Sequence, residues 1–196
     1  MRALRIALWA LVGAMALGLG AVAFLGTRDD APLAAGGPAI GGPFSLVDQN
    51  GRTVTRDDVL GRPHAVFFGY TFCPDVCPTT LYEMSQHVAA MGEQAPTTVF
   101  ITVDPERDTP DVLERYLSAF DSRIVGLTGT REAVDEAVRA YRAHYTIHPP
   151  DADGDVLVDH TASVLLFDAA GRFEGTIAYG ESPGVARAKL ERLADA

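Results

Sequence analysis

The run from His64 to Thr80, HAVFFGYTFCPDVCPTT, constrains the fold more than any other part of this sequence. Ala65 to Phe68 is apolar without interruption, the pattern of a strand buried on both faces. It leads into Cys73 and Cys77, the only cysteines of the chain. Pro78, Thr79 and Thr80 then open a helix that runs to about Met91, with Thr80 and Glu83 at capping-box spacing. A buried strand ending in a cysteine-bearing turn and a helix N-terminus is one way to build a thiol redox centre or a metal site. Three residues separate the cysteines here, whereas the common redox pair has two between them. At i and i+4 on a helix the Cβ atoms would stand roughly 5–6 Å apart, wider than the roughly 3.5–4.5 Å of a disulfide. A bridging metal is the less demanding arrangement, although a modest adjustment would allow either. The helix dipole at that end favours thiolate, the form that ligates metals and attacks disulfides.

Upstream, Ile6 to Gly26 carries no charge and is almost wholly apolar. Its length, about 21 residues, is near the roughly 20 that cross a bilayer as a helix. Arg2 and Arg5 precede it and Asp29 and Asp30 follow, which places the N-terminus in the cytoplasm and the rest outside. Residues 1–28 are therefore read as an uncleaved membrane anchor. A cleaved signal peptide is the rival, because Ala21-Val22-Ala23 has the small-x-small form of a cleavage site. Either way the rest is exported. Residues 29–42, rich in Ala, Gly and Pro, read as a flexible tether, and residues 43–196 as one folded domain.

The chain carries a formal net charge of −10. Arg2, Arg5 and Arg28 all belong to the N-terminal segment, so the domain is more acidic still. That excludes nucleic acid as a partner, since phosphates need basic surfaces. Two cysteines are too few for a disulfide framework.

Beyond Pro43 the pattern alternates. Phe44–Val47 and Arg52–Thr55 flank an Asn-Gly turn, a hairpin signal. His64–Tyr70 and Thr97–Val103 are buried strands, and Leu81, Met84, Val88 and Met91 give the intervening helix its apolar stripe. Thr109 as N-cap and Pro110 at the first helical position start a helix to about Phe120. Ile124–Leu127 is a short strand, and Arg131 to about Tyr145 a helix. Thr146–Asp159 is a long polar loop. Thr161–Phe167 and Phe173–Ile177 form a second hairpin, and Ser182–Leu193 a final helix. Strands alternating with helices, followed by an antiparallel hairpin, give an α/β domain with a mixed sheet.

Two thiolates suit copper, above all Cu(I), and an added imidazole stabilises Cu(II) as well. Zinc could also fill such a set with a water. Of the five histidines, His64 reads as structural or exposed and His87 as solvated. His144 and His148 have no support as ligands. His160 stands at a strand boundary after Asp159, where a lone histidine is usually structural. The acidic run Asp151–Asp155 has its glycine at the fourth position of a would-be calcium loop, where an EF-hand needs it at the sixth, and reads as a solvated turn. Asp104, Glu106 and Asp108 fit a strand-to-helix turn in which Arg107 pairs locally. A peroxidatic-cysteine motif is absent.

The segments GYTFCPDVCPTTL, VDPERDTP and VDHTA, in this order, resemble the Sco/SenC family of thioredoxin-fold copper proteins. The resemblance covers most of the chain from Pro43 onward. It implies a thioredoxin-like fold, with a mixed central sheet flanked by helices and one transmembrane helix before it. It implies one copper, as Cu(I) or Cu(II), on Cys73, Cys77 and His160. It also implies delivery of that copper to the copper A centre in subunit II of cytochrome c oxidase, from the periplasmic side of a bacterial plasma membrane. Other periplasmic copper chaperones or thiol reductants are further partners on this reading. The alternative is a thiol-disulfide oxidoreductase in which Cys73 and Cys77 are catalytic and reduce the copper A cysteines without carrying metal. Phe72 departs from the family, many members of which have histidine there. The ligand set is untouched, but the polarity beside Cys73 differs. The length of Thr146–Asp159 leads to the expectation that His160 can swing in and out.

Overall fold

The computed structural model describes residues 39–195. The expected N-terminal anchor and most of the tether lie outside those residues. Among the described residues no helix is long and apolar enough to cross a membrane.

Apolar strand segments with crossover helices between them dictate a sheet buried on both faces. Seven strands form it: β1 (Ser45–Asp48), β2 (Thr53–Thr55), β3 (His64–Gly69), β4 (Thr97–Thr102), β5 (Val125–Thr128), β8 (Val164–Phe167) and β9 (Phe173–Ile177). Their order is β2-β1-β5-β4-β3-β8-β9. β3, β4 and β5 are parallel, joined through α2 (Val76–Met91) and α3 (Pro110–Leu117). β1 is antiparallel to β5, and β8 to β3, so the sheet is mixed as expected. α1 (Arg56–Val59), α4 (Arg131–Ala140) and α5 (Pro183–Ala194) complete the helices. Every residue of β3 is buried, and its Phe67 and Phe68, with Phe100 and Ile101 of β4 and Leu127 of β5, form the centre of the core.

The β1–β2 and β8–β9 hairpins close with the same five-residue chemistry, Asp48-Gln49-Asn50-Gly51-Arg52 and Asp168-Ala169-Ala170-Gly171-Arg172. In each, the buried aspartate accepts backbone N–H groups two and four residues on and the arginine Nε. The glycine takes a positive φ, 78° and 75°, which the turn requires and which other residues rarely adopt.

Several local expectations change. α2 begins at Val76, ahead of the threonines, because Pro78 fits a first turn that has no N–H to lose. Thr80 is therefore inside the helix and buried, with no hydrogen-bond partner for its hydroxyl. The capping box belongs instead to Thr55 and Asp58 of α1. His87 is buried, not solvated. It falls in the row Thr80, Met84, His87, which faces Ala162, Val164, Ile177 and Ala186. α4 stops at Ala140, where Arg142 takes a left-handed φ of 53° and ends the helical path. The stretch read as a long loop is largely a hairpin: β6 (Tyr145–Ile147) pairs with β7 (Val158–His160) in a separate two-stranded sheet. His160 closes β7, with β8 starting only at Val164.

Candidate metal centre

The central strand sets the position of the thiols. Gly69, its last residue, lies against the Cys77 sulfur, and a Cβ there would come within 2.6 Å of Cys77 Sγ and 2.8 Å of Phe100 Cε2. Only a residue without a side chain lets the first turn of α2 pack this closely on β3. The loop between them is pinned by Asp108, which is wholly buried. Its carboxylate accepts the Thr71 backbone N–H at 3.0 Å, the Thr71 hydroxyl at 2.5 Å and the Thr102 hydroxyl at 2.6 Å. Burial pushes the Asp108 carboxyl above its usual range, while these hydrogen bonds act against that shift.

Cys73 precedes the helix and is 8% exposed, whereas Cys77 lies in its first turn and is fully buried. Both are free thiols. The Cys77 backbone N–H donates to Cys73 Sγ at 3.4 Å, so the helix start bears on the outer sulfur. The Cys77 thiol is the largest cause that holds Cys73 down at about 3, with burial opposing it and the Asp75 and Cys77 backbone N–H groups adding to it. Cys77 goes the other way: the Cys73 sulfur beside it and its own burial hold the proton on. The outer sulfur is therefore the thiolate of the pair.

His160 reaches the same point from β7. Its Nε2 lies 3.3 Å from Cys77 Sγ, and its Nδ1 lies 3.1 Å from the Thr161 carbonyl oxygen. A carbonyl only accepts, so Nδ1 carries the hydrogen and Nε2 keeps its lone pair toward the sulfurs. The imidazole sits edge-on to Phe67 and Tyr70, with both ring centroids 5.9 Å away.

The donor atoms of Cys73, Cys77 and His160 all lie within 4.8 Å of one another. Ligands at bond lengths of about 2.0–2.3 Å around one ion sit about 4 Å apart, so the set is close to what an ion needs. Cys73 and His160 line an open cleft of about 380 Å³, together with Tyr70, Pro74, Asp75 and Leu157, while Cys77 lies buried behind it. Among the described residues no second group of three such donors comes together. His64 is buried and stacked on Phe167. His144 pairs with Thr146 and His148 with Asp159. The acidic run is an exposed turn in which Asp151 accepts the Asp153 and Asp155 N–H groups. Sequence reasoning missed Gly69, Tyr70 and Asp108, which shape the site without being ligands. Only the glycine at the end of the apolar run was a usable signal.

The SCO1/SenC family model matches residues 33–195. Protein SCO1 homolog, mitochondrial, of Homo sapiens is 44% identical over 142 residues, 70% of this chain and 47% of that protein. Protein SenC of Rhodobacter capsulatus is 46% identical over 131 residues, 66% of this chain and 59% of that protein. The chain thus spans about half the length of the curated relatives it matches. The structure of Bradyrhizobium japonicum ScoI with copper bound aligns at a TM-score of 0.73 and 45% identity, over 79% of this chain and 99% of that one. Yeast Sco1 with copper bound aligns at 0.75 and 34% identity, over 81% of this chain and 90% of that one. The α/β fold is thus thioredoxin-like, and with a match that runs from residue 33 to residue 195 the chain belongs to the SCO1/SenC family.

Proposed function

We propose that this chain carries one copper ion on the Cys73 and Cys77 sulfurs and His160 Nε2, and passes it on during the assembly of cytochrome c oxidase. The convergence of two thiols and one imidazole within 4.8 Å carries the reading. The donor chemistry fits copper in both oxidation states. Soft sulfurs hold Cu(I), and the imidazole with the sulfurs holds Cu(II). Copper would take the place of the proton that Cys77 shares with its neighbours, so loading releases protons and weakens as pH falls. The copper-bound relatives support the choice of metal. The recipient is proposed to be the copper A centre of oxidase subunit II, and the apolar stretch Ile6–Gly26 is proposed to hold the domain on the periplasmic face of a bacterial plasma membrane.

The asymmetry of the thiols favours a second reading, thiol-disulfide exchange. The Cys73 thiolate would attack a partner disulfide, forming a mixed disulfide and releasing one partner thiolate. Cys77, deprotonated, would then displace the second partner sulfur. The partner leaves as a dithiol and Cys73–Cys77 as a disulfide, two electrons having passed to the partner.

Anaerobic titration of the reduced full-length chain tests the copper reading. One copper per chain is expected, with thiolate-to-Cu(II) charge-transfer absorption. His160→Ala should lower Cu(II) affinity at least about ten-fold, or about 1.4 kcal/mol, with a much smaller effect on Cu(I). Unchanged Cu(II) affinity in that variant removes His160 from the site. Rapid disulfide exchange without specific copper uptake would leave the second reading standing instead.

A further inference from the structure

Arg107 is outside the ligand set yet touches both of the parts that carry it. Its Nε is ion-paired with Asp104, beyond the end of β4. Its Nη2 donates to the Val156 carbonyl at 2.9 Å, four residues before His160 on the same arm. The guanidinium carbon stands 4.9 Å from the ring centroid of Phe72, the residue immediately before Cys73, and 5.7 Å from that of Tyr70. One planar cation thus joins a fixed anchor, the dicysteine loop and the hairpin that brings in the imidazole.

Other contacts hold that hairpin elsewhere. At its base the Tyr145 hydroxyl accepts from Arg131 and donates to Asp135. In its middle the Val158 N–H donates to the Tyr70 hydroxyl. Arg107 grips it nearer the tip, where the chain is otherwise exposed from His148 to Asp155. Arginine suits the place because its rigid fork can satisfy a carboxylate and a carbonyl while its face lies on an aromatic ring.

We propose that Arg107 is a positioning residue that clamps the His160 arm onto the dicysteine loop, and so sets how firmly bound copper keeps its imidazole ligand. The clamp rests on the copper reading above. It acts on the ligand that Cu(II) needs and Cu(I) can do without, so its signature is selective for oxidation state.

The test measures Cu(II) and Cu(I) affinities of the reduced full-length chain, its Arg107→Lys and Arg107→Met variants, and both substitutions combined with His160→Ala. Each Arg107 variant should lose about ten-fold in Cu(II) affinity, the scale typical of residues that orient a ligand, and shift the thiolate-to-Cu(II) band. Cu(I) affinity should hold. Combined with His160→Ala, the Arg107 substitutions should cost nothing further. Phe72→Ala, at a ring 59% exposed and so safe for folding, should weaken Cu(II) in the same direction but less. Wild-type Cu(II) affinity in Arg107→Lys would overturn the clamp, because charge alone would then suffice. So would an equal Arg107 effect with His160 already removed. A parent chain that binds no copper would sink the copper reading itself, whereas His160-dependent binding indifferent to Arg107 sinks only the clamp.

Discussion

Cys73 and Cys77 grow out of β3 near the middle of the seven-stranded sheet, whereas His160 is carried by β7, half of a two-stranded sheet that shares no ladder with it. The sulfurs rest on a fully buried strand, on Gly69 and on a loop fixed by buried Asp108. The imidazole stands on an arm whose remaining residues are mostly exposed, held by Tyr70, Arg107 and Arg131 at separate points. Few buried contacts and an exposed backbone are what a locally opening segment has. A site split in this way would keep two soft donors in constant register and leave the third as the one able to detach. For the copper carrier proposed above, that asymmetry would be useful: copper would stay on sulfur while the imidazole came and went.

The largest expected effect breaks the rigid half. Gly69→Ala drives a methyl into Cys77 Sγ and Phe100, both held by the core, and overpacking of this kind costs about 1–3 kcal/mol. Urea denaturation of the metal-free reduced protein should show that loss. Cu(I) and Cu(II) affinities should fall together, in contrast to the Cu(II)-selective loss from His160→Ala. A variant with unchanged stability and unchanged Cu(I) affinity would mean that the thiol bed is not fixed by this contact.

A smaller effect tests the join between the halves. Tyr70→Phe removes the oxygen that accepts the Val158 N–H at 3.2 Å and leaves a buried donor unpaired. The cost is expected at about 1 kcal/mol, appearing mainly as faster hydrogen exchange across β6 and β7, with exchange in β3 and β4 unaltered. Equal acceleration in both sheets would show that arm and bed open as one unit.

The two halves also differed in how far they could be read in advance. The thiol half is written locally: an apolar run, a glycine, two cysteines and a proline in a first turn. The D-x-x-G-R turns announce the β1–β2 and β8–β9 hairpins in the same way. The arm has no such signature. Thr146–Asp159 carries prolines, aspartates and few apolar residues, so its two short strands exist by pairing with each other and by distant tethers. His160 was reached through family resemblance, since nothing in its neighbours marks it as a ligand. Asp108 looked like an ordinary turn residue because its partner Thr71 lies 37 positions away. His87 departs from its solvated expectation because helix periodicity alone does not reveal how wide a face the neighbouring strands cover.

The smallest effect assigns the acid sensitivity of the fold to the sheet and the helix packed on it. Burial holds the His64 imidazole below its ordinary value of 6.5, and Arg56 pushes in the same direction, against the Arg62 carbonyl and Asp168. Burial likewise lowers His87, with Arg187 adding to it and Glu83 opposing. A histidine lowered in the folded state leaves the unfolded chain binding more protons just below pH 6.5. Stability there rises with pH, is fully present above 6.5, and is lost as the solution is acidified toward the folded-state value. Each histidine can contribute a slope of at most about 1.4 kcal/mol per pH unit. His64→Phe keeps a ring stacked on Phe167, now 5.2 Å away, and should flatten the profile below pH 6.5 while leaving stability above it nearly unchanged. Denaturation midpoints of the metal-free reduced protein across that window provide the measurement. A slope that survives in the His64→Phe/His87→Leu double variant would move the pH dependence off these two histidines, and the contrast between an acid-sensitive bed and a loosely held arm would have to be drawn differently.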